Sequence, residues 1–219
     1  MPVPVRVIKL GGSLFDLPDL ANRFAAWHAR QSVAADVLVC GGGKIVDTLA
    51  EWDRMHGLGP TVSHWLCVRA MAMNAAWLAA ILPRAEFCPR WTSALVAAAD
   101  GRLAVLDPWQ FVHEDDPRFS REPLPVSWDV TSDSIAARLA SLLEATELVL
   151  LKSELPAENL TRAAASQTGY VDPFFAQAAQ ELPKVRCVNL RSNDAEEIDL
   201  LGSAVGEPVE SPQEVKAAI

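Results

Sequence analysis

Short apolar runs alternate with helical segments along most of the chain. The apolar runs predict strands at residues 5–9, 36–40, 87–91, 102–106, 148–152 and 185–190. Strands that alternate with helices are typical of a mainly parallel sheet with helices on both faces. We therefore predict an α/β fold, a three-layer αβα sandwich, formed as a single domain over residues 1–219.

Helical periodicity fills the intervals between these strands. The first helix is predicted to start near Asp16 and to bury Leu20, Phe24 and Trp27 on one face. Further helices are predicted at residues 44–57, 62–82, 93–99, 132–145, 173–182 and 195–201. Residues 107–127 contain several prolines and an acidic triplet, so we predict a loop there, long enough to act as a lid or binding loop.

The segment from Val62 to Leu82 has nearly the length and apolar character of a membrane span. His64, Arg69 and Asn74 lie within it, and each would be costly in lipid. A helix buried in the protein or in a homodimer interface is therefore favoured over a membrane crossing.

Composition excludes several classes of function. The net charge of −9 and the lack of a basic stripe disfavour a nucleic-acid partner. The four cysteines are far apart and form no C-x-x-C pair, which predicts reduced, buried thiols in a cytoplasmic protein. The N-terminus lacks a basic region followed by a short apolar region, so no signal peptide is expected. The four histidines are scattered, so no metal centre is expected.

Two lysines stand at the ends of apolar strands. Lys9 precedes Gly11 and Gly12, and Lys152 ends the strand 148–152. The carboxyl ends of parallel strands face the ligand crevice, so both ammonium groups are expected at one anion site. The alternative is that each lysine simply reaches solvent at the sheet edge.

Glycines follow two of the predicted strands. Gly11 and Gly12 come after the first, and Gly41, Gly42 and Gly43 come after the second. Without side chains, such turns let backbone N–H groups approach phosphate, although a tight strand-to-helix turn explains them equally well. Neither turn matches the P-loop or the dinucleotide-binding fingerprint.

Asp133 lies in the first turn of a predicted helix, beside Thr131, Ser132 and Ser134. A carboxylate there can cap the helix, and that is the ordinary interpretation. The functional alternative is that Asp133 bridges Lys9 and Lys152 and fixes both ammonium groups.

The second substrate is harder to place. Asp47, Arg69 and Asn74 are candidates for binding it, with Arg69 and Asn74 favoured because their helix is otherwise apolar. Lys44 and His64 are weaker candidates. Surface ion pairs are the alternative role for such polar side chains.

Four motifs in this order resemble the amino acid kinase superfamily, over about residues 3–201. They are residues 7–13 (VIKLGGS), the glycines 41–43, residues 131–137 (TSDSIAA) and residues 149–152 (VLLK). The resemblance implies a kinase that uses ATP and Mg²⁺. It assigns catalysis to Lys9, Asp133 and Lys152, the nucleotide to Gly11, Gly12, Ser13, Thr131 and Ser132, and the second substrate to Gly41, Gly42 and Gly43.

Finer resemblances point in two directions. Residues 131–152 look most like bacterial uridylate kinase, whereas residues 127–131 and the helix that starts at His64 look like small kinases linked to methanofuran biosynthesis. Those kinases phosphorylate an aminomethylfuran phosphate. Relatives of this fold also commonly pair through the helix that corresponds to 62–82, which implies a homodimer.

The chain departs from the family after Lys152. The family continues with a V-D-G-V/L-Y-type turn and an Asp-Pro that help to hold the nucleoside, and residues 153–159 do not match it. Residues 169–174 (GYVDPF) are a candidate remnant of that region. A nucleotide- or oxyanion-binding protein without turnover, in a storage, regulatory or assembly role, is therefore the alternative function.

Overall fold

The computed structural model describes residues 3–202. Its strands are β1 (Val5–Leu10), β2 (Ala35–Cys40), β3 (Ala85–Cys88), β4 (Leu103–Leu106), β5 (Glu147–Lys152), β6 (Val185–Asn189) and β7 (Glu197–Leu200). They form one seven-stranded sheet in the order β3-β4-β2-β1-β5-β6-β7. Neighbouring strands are parallel except at one edge, where β7 runs antiparallel to β6.

Helices cover both faces of this sheet. They are α1 (Leu20–His28), α2 (Gly43–His56), α3 (Pro60–Ile81), α4 (Trp91–Ala99), α5 (Pro108–Gln110), α6 (Asp116–Phe119), α7 (Ser132–Leu142), α8 (Arg162–Gln167) and α9 (Phe175–Ala178). A 3₁₀ turn (Gly12–Leu14) and a π-helix (Phe111–Asp115) complete them. One core lies between the sheet and α4, α7 and α9, and the other lies between the sheet and α1. The predicted three-layer α/β fold is confirmed.

The region predicted as a long loop is largely helical, so that prediction is wrong. Pro108 begins α5, and the Asp107 side chain caps it by accepting a hydrogen bond from the Trp109 N–H at 2.8 Å. Pro117 lies in the first turn of α6. Proline has no N–H to lose in a first helical turn, so these prolines mark helix starts rather than a loop.

The C-terminal part of the sheet also differs from prediction. Residues 195–201 were expected to form a helix, but Glu197–Leu200 is strand β7. Ile198 and Leu200 pack on the core while Glu197 and Asp199 are exposed, which is the two-residue period of a strand. Helix α8 lies in a stretch predicted as loop, and α9 is shorter than the predicted 173–182.

Two helix starts shift from their predicted places. Helix α1 begins four residues after Asp16, although Leu20, Phe24 and Trp27 are buried on one face as predicted. Helix α3 begins at Pro60, two residues before the predicted start at Val62, and Gly59 is its N-cap. Within residues 3–202, no helix combines the length and the apolar character that a membrane crossing requires.

The cysteines agree with the prediction. Cys40, Cys67, Cys88 and Cys187 are all buried and none forms a disulfide. Burial raises the pKa of the Cys40 thiol to about 12, so this thiol stays protonated at neutral pH.

Candidate active site

The alternation of side chains along β1 and β5 brings the two lysines to one face of the sheet. Val7 in β1 and Leu150 in β5 pack into the core beneath α7, and side chains two residues apart share a face. Lys9 and Lys152 therefore face α7. Lys9 is paired in register with Leu150, two residues before Lys152, so both lysines lie near the carboxyl ends of neighbouring strands.

Asp133, in the first turn of α7, bridges the two lysines. Its Oδ1 lies 2.8 Å from Lys9 Nζ and its Oδ2 lies 2.9 Å from Lys152 Nζ. Lys9 and Asp133 are each only 5% exposed. Burial by itself would raise the pKa of Asp133, but the charges of Lys9 and Lys152 outweigh burial and hold that pKa below its usual value. Two ammonium groups and one carboxylate leave one net positive charge at this point.

Lys152 has further partners in Tyr170. Its ammonium donates a hydrogen bond to the Tyr170 carbonyl and lies 4.5 Å from the centre of the Tyr170 ring. Burial and, next, the like charge of Lys9 lower the pKa of Lys152, while Asp133 opposes that shift. Lys152 therefore loses its proton more easily than an ordinary lysine does.

Asp172 takes the capping role that Asp133 was considered for. Its carboxylate accepts hydrogen bonds from the N–H and hydroxyl of Thr131, at 3.0 and 2.8 Å, and from the N–H of Ser134 at 3.0 Å. The Ser134 hydroxyl also donates to it. Burial and, next, the nearby Asp133 charge raise the pKa of Asp172. Because Asp172 holds the start of α7, Asp133 remains free to bind the lysines.

A cleft of about 850 Å³ reaches Ser132, the neighbour of Asp133, but Lys9, Asp133 and Lys152 themselves do not line it. Its wall combines the two glycine turns with the starts of α2 and α7. The lining residues are Gly12, Ser13, Phe15, Asp16, Gly41, Gly42, Gly43, Lys44, Ile45, Val46, Asp47, Met73, Asn74, Trp77, Ser132 and Arg191. Of the predicted site residues, Gly12, Ser13, Asp47, Asn74, Ser132 and the glycine triplet lie on this wall.

The glycines are required by the way the two turns pack together. A Cβ on Gly12 would lie 2.2 Å from Gly43 N, and a Cβ on Gly41 would lie 2.7 Å from Gly12 N. Gly43 also has a φ of +55°, in the left-handed region that favours glycine. Close contact between the turns thus accounts for these glycines, and their contact with substrate stays a prediction.

Some backbone N–H groups near the cleft already donate hydrogen bonds within the sheet, and others lie in the first turn of α2. Gly11 N–H donates to the Leu151 carbonyl at 2.8 Å, and Gly41 N–H donates to the Leu10 carbonyl at 2.9 Å. Gly11 was predicted to contact nucleotide phosphates, but its N–H is already hydrogen-bonded to strand β5. The first turn of α2, Gly43 to Ile45, lines the cleft, and first-turn N–H groups have no partner within their helix.

The residues predicted to bind the second substrate lie in different surroundings in the structure. Asn74 is buried, and its amide nitrogen donates to the carbonyls of Gly41 and Gly42 at 3.0 and 2.9 Å, so it positions the glycine triplet. Asp47 lies exposed on the cleft wall. Arg69 does not line the cleft, because its guanidinium stacks 3.3 Å above the Trp109 ring.

Thr131 also lies outside the cleft. Its N–H and hydroxyl groups donate hydrogen bonds to Asp172. Arg191 is a cleft residue that was not among the predicted ones; it donates to the Ser13 carbonyl at 2.7 Å and pairs with Asp16 in the cleft wall. Arg191 lies two residues after the end of β6. The strand-end rule that identified Lys152 applies equally to it.

Comparison with protein families covers both lysine-bearing strands. A model described as the amino acid kinase family matches residues 4–154, the stretch that contains Lys9, Asp133 and Lys152. The chain belongs to the amino acid kinase family. This amino acid kinase is a phosphotransferase, a small-molecule kinase. The sequence matches none of the curated proteins with which it was compared.

Solved structures share the fold at low sequence identity. The uridylate kinase from Archaeoglobus fulgidus is 16% identical, with a TM-score of 0.56 over 83% of this chain and 88% of that one. The UMP kinase from Bacillus anthracis is 13% identical, with a TM-score of 0.60 over 92% and 100%. The aspartate kinase from Synechocystis is 14% identical, with a TM-score of 0.62 over 90% of this chain and 40% of that one.

Proposed function

We propose that this amino acid kinase transfers the γ-phosphoryl group of ATP, with Mg²⁺, to a small acid or phosphate. The observation that carries the proposal is the buried bridge of Lys9, Asp133 and Lys152 beside the cleft. Phosphoryl transfer is catalysed mainly by positioning and by neutralising charge that spreads over the transferred group. Two lysines fixed by one carboxylate supply both.

The cleft suits the phosphates of a nucleotide. The first turn of α2 lines the cleft, and its N–H groups have no partner within the helix. Asp16 and Asp47 are the carboxylates on the wall, and oxygen ligands are those that Mg²⁺ prefers. Bound with the nucleotide, Mg²⁺ would neutralise part of the phosphate charge.

The second substrate is proposed to bind against the glycine triplet. Asn74 fixes the Gly41 and Gly42 carbonyls, which sets the position of these turns. Resemblance of residues 127–131 and of the helix containing His64 to kinases of methanofuran biosynthesis supports an aminomethylfuran phosphate as this substrate. We keep it as the first compound to assay.

Titration calorimetry with ATP and Mg²⁺, followed by assay of phosphorylated and carboxylated compounds, tests the proposal. Lys9→Ala and Lys152→Ala should each lower transfer about 10² to 10⁴-fold, the effect of losing one preorganised charge stabiliser. Lys184→Ala is the control, because Lys184 precedes β6 at the amino ends of the parallel strands, away from the site, and is about half exposed. Unchanged turnover in either bridge variant contradicts the lysine-pair mechanism.

The contacts of Lys152 favour one second candidate, a nucleotide- or oxyanion-binding protein without turnover. The ammonium already has Asp133, the Tyr170 carbonyl and the Tyr170 ring around it. If these contacts hold Lys152 away from ATP, the protein binds ATP but transfers nothing. The same calorimetry and product assays distinguish the two functions.

Assembly as a homodimer is proposed through the outer side of α3. Its exposed positions Leu66, Arg69, Met73, Ala76 and Ala80 follow alternating spacings of three and four residues, the spacing of a helix–helix seam. Ala75 is fully buried within the chain and takes no part in this face.

Light scattering on the dimer variants tests this assembly. Ala76→Glu should give monomers, whereas Val96→Glu, at an exposed position of α4, should leave the dimer intact. A stable monomer of the unmodified chain at micromolar concentration contradicts the proposal.

The buried free thiols also support a cytoplasmic location, which stays a prediction.

A further inference from the structure

A second, smaller cavity of about 60 Å³ lies next to the cleft. The two spaces share Gly42, Val46 and Ser132 in their walls. The small cavity is lined mostly by apolar side chains, including Val68, Met71 and Val130, and it has room for roughly two water molecules. A short terminal group of a bound molecule would fill it.

His64, in the second turn of α3, also lines this cavity. The side chain is only 3% exposed. Its Nδ1 lies 3.0 Å from the carbonyl oxygen of Ser127. A carbonyl oxygen can only accept, so Nδ1 is the nitrogen that carries the proton.

The other ring nitrogen is left as an acceptor. Burial lowers the pKa of His64, although the Ser127 carbonyl opposes the shift, so the ring is neutral at neutral pH. Nε2 then has a lone pair and no proton. Among residues 3–202, no group donates a hydrogen bond to it.

An unpaired buried acceptor carries a cost. Leaving such a group without a partner forfeits its hydration and gains nothing in return, so native proteins rarely retain one without a reason. The walls also carry the hydroxyls of Ser127, Thr131 and Ser132, but within residues 3–202 none of them hydrogen-bonds to Nε2. A molecule that enters the cavity, either water or a donor group of a bound substrate, would supply the partner.

We propose that this cavity is the far end of the site for the second substrate, and that His64 Nε2 accepts a hydrogen bond from an amine or hydroxyl group of that substrate. The inference rests on the proposed function, because it assumes that the second substrate lies against Gly42. It adds a chemical requirement, since the substrate needs an N–H or O–H donor at the end opposite its phosphorylated group. A substrate that ends in a methyl group leaves Nε2 unpaired.

Two substitutions separate the two ring nitrogens. The amide of Asn reaches the position of Nδ1, so His64→Asn keeps a donor to Ser127 and loses the acceptor that faces the cavity. The amide of Gln reaches the position of Nε2, so His64→Gln keeps an acceptor in the cavity and loses the bond to Ser127. A merely structural His64 predicts the reverse order of damage.

The binding experiment uses alkyl monophosphates of increasing chain length that end in an amine, a hydroxyl or a methyl group. Calorimetry is done with the β,γ-methylene analogue of ATP bound, so no turnover is needed. We expect a donor-terminated compound of one chain length to bind about tenfold to a hundredfold more tightly than its methyl counterpart. His64→Asn should abolish this preference and His64→Gln should retain most of it.

The ¹⁵N shifts of the imidazole in the unmodified protein provide a second measurement that needs no variant. They should show the neutral Nδ1–H form, with Nε2 shifting when a donor-terminated compound binds. Equal binding of all three series, no binding of any compound while the ATP analogue binds, or a preference that survives His64→Asn overturns the inference. Failure of the proposed function shows differently, as a lack of ATP binding or of transfer in the unmodified protein.

Discussion

Replacing Asp133 by Asn removes the charge that holds two buried cations. The change keeps the size of the side chain, but Lys9 Nζ and Lys152 Nζ lose the carboxylate that lies 2.8 and 2.9 Å from them. Helix α7 keeps its start, because its capping bonds go to Asp172. The substitution therefore tests the bridge without disturbing the cap.

The expected cost in stability can be bounded from the lysines themselves. Breaking a buried ion pair by removing one partner costs about 3–5 kcal/mol. A lysine escapes a larger penalty by losing its proton, and moving from an ordinary pKa of 10.5 to an assay pH near 7.5 costs about 4 kcal/mol at 1.36 kcal/mol per unit. We expect the free energy of unfolding to fall by about 3–5 kcal/mol, which corresponds to a melting temperature lower by about 6–20 °C.

The effect on activity follows from the same charges. A lysine that has lost its proton or its position no longer stabilises the transferred group, so kcat should fall about 10² to 10⁴-fold. Affinity for ATP should fall much less, because the backbone N–H groups of the cleft remain. Steady-state kinetics, ATP calorimetry and thermal melting measure the three quantities.

Asp129→Asn is the matched control for this experiment. Asp129 is exposed, lies just before α7 and makes the same change of charge when replaced. It should leave kcat and the melting temperature nearly unchanged. Equal kcat and equal melting temperature in Asp133→Asn and the unmodified protein would refute the bridging role.

Two further predictions concern pH and the cap of α7. Because burial and Lys9 lower the pKa of Lys152, kcat should decline on the alkaline side below pH 10.5, and a Lys152→Arg variant that retains activity should lack this decline. Between the folded-state pKa of Lys152 and 10.5, the unfolded chain binds this proton more tightly than the folded protein does. Lys152 should therefore make the free energy of unfolding rise with pH in that interval. A pH profile that shows neither the decline in kcat nor this rise in stability contradicts the assignment. Asp172→Ala leaves the N–H groups of Thr131 and Ser134 unpaired and should lower stability by about 2 kcal/mol, or the melting temperature by about 4–8 °C, whereas Asp194→Ala, on an exposed turn, should change little.

The central part of the site could be predicted from the sequence because it depends on local rules. Lys9 and Lys152 end apolar strands, and strands of a parallel sheet end at one edge. Helix α7 directly precedes β5 in the chain, and Asp133 in its first turn completes the bridge. In each case, the sequence feature that predicts the position of the residue lies within a few residues of it.

Features that depend on distant contacts were not predictable in the same way. Asp133 and Asp172 are both plausible caps in sequence, and only folding shows that residue 172 reaches Thr131. Arg69 looked like a site residue because its helix is apolar, but Trp109 lies beside it in the fold. The aromatic partner of Arg69 therefore comes from α5, which residue spacing within α3 does not reveal.

Errors in secondary structure have local causes. The prolines in residues 107–127 predict a loop, but Pro108 and Pro117 occupy first helical turns, where proline is well tolerated. In residues 197–200 the alternation of exposed and buried side chains was present in the sequence. Four residues are too few for this period to prevail over a helical interpretation.

Calorimetry of ATP against ADP tests the central claim, that Lys9 and Lys152 face the transferred phosphoryl group. If they do, the γ-phosphate adds contacts with both ammonium groups, each worth about 1.5–3 kcal/mol. The unmodified protein should bind ATP at least tenfold more tightly than ADP, and Lys9→Ala and Lys152→Ala should each remove much of that difference, with Lys184→Ala unchanged. Equal affinity for ATP and ADP in the unmodified protein, or an undiminished preference for ATP in both variants, would contradict the claim.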